Sequence, residues 1–166
     1  RIHAARSASS RWELCISYNP MSTVQSGRWQ EIHEHFRDAH FVCLQGSRRK
    51  QKTEHQIHTS RINNFFVVEA GYGPKSNKHA GVSIAINTNF IEQLAIHSIA
   101  YPIDPCLQGR AIVVRTRRQG RDLTIISAYF PPMGPDGRAS SICEKLQKWL
   151  IQVLWRIPMR TCPILC

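Results

Sequence analysis

Apolar residues fall in short runs closed by turn formers along most of this chain, with two stretches of helical spacing between them. The segment Glu13-Leu14-Cys15-Ile16-Ser17-Tyr18-Asn19 is short, apolar and stopped by Pro20, which predicts a buried strand ending in a loop. After Ser26, an N-cap candidate, Trp29, Ile32 and Phe36 recur at helical spacing and predict a helix ending near Asp38. Phe41-Val42-Cys43-Leu44-Gln45 reads as a second buried strand, closed by Gly46 and Ser47. Strand, helix and strand in that order predict α/β layering.

Two further strands are predicted at Phe65-Phe66-Val67-Val68-Glu69 and Gly81-Val82-Ser83-Ile84-Ala85-Ile86, separated by a loop from Gly71 to Lys78. Ala111-Ile112-Val113-Val114 and Leu123-Thr124-Ile125-Ile126-Ser127-Ala128-Tyr129 bracket Arg117-Arg118-Gln119-Gly120-Arg121, a hairpin with a basic tip. Past Pro131-Pro132-Met133-Gly134-Pro135, Ser141 with Glu144 forms a capping-box pattern. Ile142, Leu146, Trp149, Leu150 and Val153 then keep one apolar face before Pro158, and Cys162-Pro163-Ile164-Leu165-Cys166 begins another buried strand.

At 166 residues and 42% hydrophobic, the chain has the size of one domain and enough apolar surface for a core. Residues 1–12 are basic and Ser/Ala-rich without periodicity and read as a loose lead-in. Lys and Arg number 22 against 11 acidic residues, and the resulting charge of +11 favours polyanions such as nucleic acid or an anionic membrane surface. A basic protein with no special partner fits the charge equally well. No apolar run approaches the ~18 residues that would span a bilayer and no signal peptide is evident, so the expectation is an intracellular protein, nuclear or cytoplasmic. The six cysteines sit mostly inside apolar segments, where free Cys behaves as a small hydrophobe. Cys162 and Cys166 lack further Cys or His pairs at ligand spacing, and no metal is assigned to them.

No short motif carries chemistry by itself: there is no Gly-x-x-x-x-Gly-Lys loop, no His-Glu-x-x-His and no Gly-x-Ser-x-Gly elbow. The stronger signal is positional. Asn19, Gln45 and Tyr129 are polar residues at the ends of apolar strands, where open α/β sheets place ligands. Taken one at a time, each is read more simply as a turn former or hydrogen-bond cap.

Four stretches, in chain order, carry a resemblance. They are Tyr18-Asn19 after the first strand; Phe41-Val42-Cys43-Leu44-Gln45 after Phe36-Arg37-Asp38-Ala39; Lys78-His79-Ala80-Gly81-Val82-Ser83-Ile84-Ala85; and Gly109-Arg110-Ala111-Ile112 leading to Ser127-Ala128-Tyr129-Phe130-Pro131-Pro132. Together they resemble the endonuclease/exonuclease/phosphatase (deoxyribonuclease-I-like) family, in particular the apurinic-type endonuclease domain of LINE-like non-LTR retrotransposons. The resemblance implies an α/β (α+β) fold, two sheets packed face to face with flanking helices, and metal-dependent phosphodiester hydrolysis with Mg2+ at the sheet ends. It further implies that Asn19 lies beside metal and scissile phosphate, that Tyr129 contacts the phosphate, and that DNA is the partner. The basic residues Arg48, Arg49, Lys50, Arg117 and Arg118 would then contact the nucleic-acid backbone.

The departures from that pattern bear on activity. Where the family has Gln-Glu after the second strand, with the glutamate on the metal, this chain has Gln45-Gly46, and glycine has no side chain to offer a hard cation. The family's Gly-Asp-x-Asn and Ser-Asp-His motifs would fall beyond residue 166. The resemblance therefore implies that residues 13–166 are the amino-terminal half of the domain, and that they neither hold the metal nor activate water. Half a sandwich would also leave the inner face of its sheet without a partner and prone to self-association. A non-catalytic nucleic-acid-binding module and a functionless relic are the alternatives.

Overall fold

The computed structural model describes residues 3–5, 14–51, 57–89, 95–118, 121–132, 140–156 and 162–165. In chain order the elements are β1 (His3–Ala5), β2 (Cys15–Tyr18), α1 (Arg28–Phe36), β3 (Phe41–Gln45), β4 (Ile57–Ile62), β5 (Phe65–Ala70), β6 (Val82–Asn87), β7 (Ala95–Ala100), β8 (Ala111–Arg118), β9 (Arg121–Ala128), α2 (Ser141–Trp155) and β10 (Cys162–Leu165). They form a six-stranded sheet in the order β1-β2-β3-β6-β5-β4 and a four-stranded sheet in the order β10-β9-β8-β7. Each sheet has one parallel pair, β2 with β3 and β10 with β9, and in each the chain crosses over through a helix, as parallel neighbours require.

The period of two along the strands builds the layers. Phe41 and Cys43 of β3 point to one side, with Val82, Ile84 and Ile86 of β6, and meet Ile112, Val114, Leu123 and Ile125 of the second sheet. Val42 and Leu44 point to the other side and pack with Phe65 and Val67 against Ile32 and Phe36 of α1. On the far side, Ala111, Val113 and Ile126 pack against Leu146 and Leu150 of α2. The order is helix, sheet, sheet, helix, the expected α/β (α+β) two-sheet architecture. Central strands covered on both faces explain why β3 and β6 read as unbroken apolar runs.

The structure corrects several expectations. The inner face of the six-stranded sheet is not left open: Phe41, Ile84 and Ile86 are fully buried beneath the second sheet, so self-association does not follow from that face. The lead-in contains an edge strand, with His3, Ala4 and Ala5 paired antiparallel to Ser17, Ile16 and Cys15, while the rest of residues 1–12 lie outside the described residues. Gly27, at φ +81°, caps α1 without a side-chain bond, and Ser26 lies one position before it. The cap of α2 is Ser140, whose Oγ accepts the Cys143 N–H at 3.3 Å, one residue before the Ser141 of the capping-box pattern. Among the described residues no helix is long and apolar enough to cross a membrane.

Candidate functional site

Parallel pairing of β2 and β3, with Tyr18 opposite Leu44, delivers Asn19 and Gly46 side by side at the carboxyl ends of the two strands. Gly46 has φ +73°, and a Cβ built there would lie 2.9 Å from Asn19 Oδ1. That oxygen accepts the Met21 N–H at 2.9 Å in an Asx turn. Gln45 is turned into the structure: its Oε1 accepts from Ser17 Oγ at 3.2 Å and its Nε2 donates to the Cys43 carbonyl at 3.4 Å.

A series of short crossings ties the remaining motif residues to this edge. Ser47 N–H donates to the Gly81 carbonyl at 2.9 Å, Gly81 N–H to the Gly109 carbonyl at 2.8 Å, and Tyr129 N–H to the Arg110 carbonyl at 2.7 Å. Ser127 Oγ donates to the Leu44 carbonyl at 3.3 Å and so joins β9 to β3. The four stretches that carry the family resemblance thus meet at one end of the sandwich. Asn19 lies beside Gly46, and Tyr129 reaches the same end through Ser127 and Arg110.

Tyr129 rests on Arg110, whose guanidinium carbon lies 5.1 Å from the ring centroid. Arg110 is 2% exposed and its Nε has no hydrogen-bond partner. Burial pushes its pKa below the ordinary arginine value, partly offset by Tyr129 and Cys143 beside it. Neither Arg110 nor Glu69 was singled out from sequence as a site residue. Glu69, within the apolar run of β5, is fully buried, and its Oε2 pairs with Arg49 Nη1 at 2.6 Å. Its Oε1 accepts from Ser83 Oγ at 3.1 Å and Thr23 Oγ1 at 3.4 Å. A carboxylate among positions that otherwise read as core, with arginines just past the neighbouring strand, was the available signal.

The side chains at this end do not fit the hard divalent cation that the family resemblance implies. Asn19 offers one neutral oxygen that already accepts a hydrogen bond, Gly46 offers none, and Glu69 is saturated by Arg49, Ser83 and Thr23. Among the described residues no group of three or more His, Cys, Asp or Glu side chains converges.

The five basic residues read as backbone contacts separate into distinct places. Arg48, at φ +56°, and Lys50 are exposed just past β3. Arg49 is committed to Glu69 and to the fold. Arg117 is exposed with its Nε 3.6 Å from Asp122 Oδ1, and the Arg118 side chain lies outside the described residues. Seven strand positions separate Arg110 from Arg117, so the hairpin tip lies roughly 23 Å from the Asn19 end and does not share its surface.

No protein-family model matches this chain, and no curated protein does. Solved structures do. The catalytic domain of Xenopus laevis APE2 superposes with a TM-score of 0.59 at 13% identity, over 82% of this chain and 51% of that one. D. rerio TDP2 complexed with a single strand DNA product gives 0.59 at 12%, over 91% and 58%. An AP endonuclease from Archaeoglobus fulgidus gives 0.55 at 17%, over 92% and 55%. At such identities the likeness shows the fold, which is that of the endonuclease/exonuclease/phosphatase, deoxyribonuclease-I-like type. The chain spans between half and three fifths of the length of these structures.

Proposed function

We propose that this chain is the nucleic-acid-binding portion of an endonuclease-type domain from a LINE-like retrotransposon protein, acting on DNA in the nucleus and without hydrolytic activity through these residues alone. The observation that carries the reading is that Gly46 is the position beside Asn19 at the strand ends. The fold brings the strand ends together as a phosphodiesterase scaffold would, yet the position facing Asn19 has no carboxylate and a backbone conformation that favours glycine. Hydrolysis through a hard metal needs anionic oxygens at that place. Binding needs only cations, and the chain has an excess of 11, with Arg48 and Lys50 exposed beside the strand ends. That one similar structure holds a single strand DNA product supports DNA as the partner.

The test pairs binding with cleavage. Labelled DNA titrated over a range of salt is expected to bind with an affinity that falls steeply as salt rises. Supercoiled plasmid incubated with the chain and magnesium, manganese or EDTA is expected to remain intact. Divalent-dependent nicking that disappears in Asn19→Ala would overturn the non-hydrolytic reading, and salt-insensitive or absent binding would overturn the nucleic-acid reading.

A further inference from the structure

The nine residues of α1 extend about 13 Å, whereas the six residues of β4 span about 20 Å. The helix is therefore too short to run alongside the whole of β4. There a cavity of about 1070 Å³ opens between the start of α1, residues 49–51 and the outer face of β4. That is room for a nucleotide, since ligand pockets commonly measure roughly 300–1,000 Å³. His58, Ser60 and Ile62 line it together because alternate strand residues share a face. Asn19, Gly46 and Tyr129 do not line it, and of the basic residues beside the strand ends it takes in only Arg49 and Lys50.

Its chemistry is mixed in a particular way. Trp29 and Ile62 line the cavity while also packing against the core beneath α1, which fixes an apolar, aromatic wall. Arg49 is neutralised by Glu69, so Lys50, exposed and unpaired with any carboxylate among the described residues, supplies the free positive charge. Ser60, half-buried, completes the wall between His58 and Ile62. A fixed aromatic wall beside a cation suits a base with its phosphate, and in a duplex the base would be held in its stack.

We propose that this cavity holds one unpaired nucleotide of a single-stranded nucleic acid, its base against Trp29 and its phosphate on Lys50. The inference rests on the nucleic-acid-binding reading above and adds to it a subsite that distinguishes single strands from duplex.

The experiment uses the full chain with fluorescein-labelled oligothymidylate, a blunt DNA duplex, and thymidine monophosphate or inorganic phosphate as competitors. Thymidine monophosphate is expected to displace the oligothymidylate on the order of tenfold more effectively than inorganic phosphate does. His58→Glu, an exposed position inside the cavity, is expected to weaken oligothymidylate binding on the order of tenfold and duplex binding, which Lys50 also serves, much less. Thr59→Glu, on the other face of the same strand, should leave both unchanged. Equal competition by the two small ligands, or equal loss of single-strand and duplex binding in His58→Glu, overturns the subsite while nucleic-acid binding stands. No binding to any nucleic acid overturns both.

Discussion

Gly46 is the position at which the reading of this site can be broken. A residue other than glycine at φ +73° costs about 1–2 kcal/mol. Its Cβ, 2.9 Å from Asn19 Oδ1, also forces the amide away from the Met21 N–H that it now accepts at 2.9 Å, a loss of about 1 kcal/mol. Removing glycine restricts the unfolded chain and returns about 0.5–1 kcal/mol. The net cost is about 2 kcal/mol, a fall in Tm of about 4–8 °C for a chain of this size. Gly46→Ala isolates that cost, and Gly46→Glu adds the carboxylate that the family pattern has there. Thermal unfolding of both, with and without magnesium, is the assay. Both variants should melt lower than the parent, and magnesium should rescue neither, because one carboxylate beside an engaged amide does not complete a hard-cation site. Magnesium at a hundred times its Kd would add about 2.7 kcal/mol if a site formed. A Glu variant as stable as the parent would refute the strain argument. Magnesium that raised the Tm of the Glu variant and not the Ala variant would show that one missing side chain accounts for the poor fit, and that Asn19 is free to turn.

Arg49→Gln should destabilise by about 2–3 kcal/mol in denaturant titration, less than a fully buried broken pair because Arg49 is partly exposed and Ser83 and Thr23 still serve Glu69. By contrast, Arg48→Gln and Lys50→Gln should stay within about 0.5 kcal/mol of the parent. Each should lower the salt slope of DNA binding by about 0.9, read from affinities across a salt series. Ser140→Ala should cost about 1 kcal/mol through the lost cap of α2 and Ser141→Ala much less, the reverse of what the capping-box pattern implies. The Cys106 backbone N–H, at 2.9 Å, lowers the pKa of Asp104 from 3.8, with help from Lys145. A depressed carboxyl pKa contributes stability above its unfolded value and loses it as pH falls through the folded value. Asp104→Asn should therefore flatten the acid side of a Tm-against-pH curve below about pH 4.

The parts of the fold legible in sequence are those where one force acts alone. β3 and β6 are covered on both faces, so burial writes an unbroken apolar run, and their positions follow directly. β4 is an edge strand with only half-buried and exposed positions, and its Ile57-His58-Thr59-Ser60-Arg61-Ile62 has no clean alternation to read. β7 conceals itself differently. Ile96 and Ile99 both pack on the inter-sheet core, although three residues apart they would face opposite sides of a regular strand. An irregularity between Ile96 and Ser98 brings them to one face, and a local bulge of this kind is invisible to a period-two reading. The buried Glu69 was missed for a related reason: its partners Arg49, Thr23 and Ser83 come from three separate segments, and no local pattern couples them.

The same distinction explains what the family resemblance can and cannot carry. Gly81, in the third matching stretch, sits at φ +113°, and any Cβ there would collide with Ser47 Oγ, where the loop after β3 crosses the start of β6. Its backbone bonds to Ser47 and Gly109 make that crossing. Gly81 is therefore required by the path of the chain, whether or not a phosphate is cut nearby. Ser127, whose hydroxyl joins β9 to β3, serves the same end of the fold through a hydrogen bond. The family pattern has a carboxylate at the position of Gly46, and there the sequence departs from the pattern. The resemblance is thus strongest at residues that hold the strand ends together and weakest at the one that would hold a metal. Scaffold and metal chemistry set their constraints on different residues: backbone crossings and buried polar bonds maintain the first, and a few exposed oxygens would maintain the second.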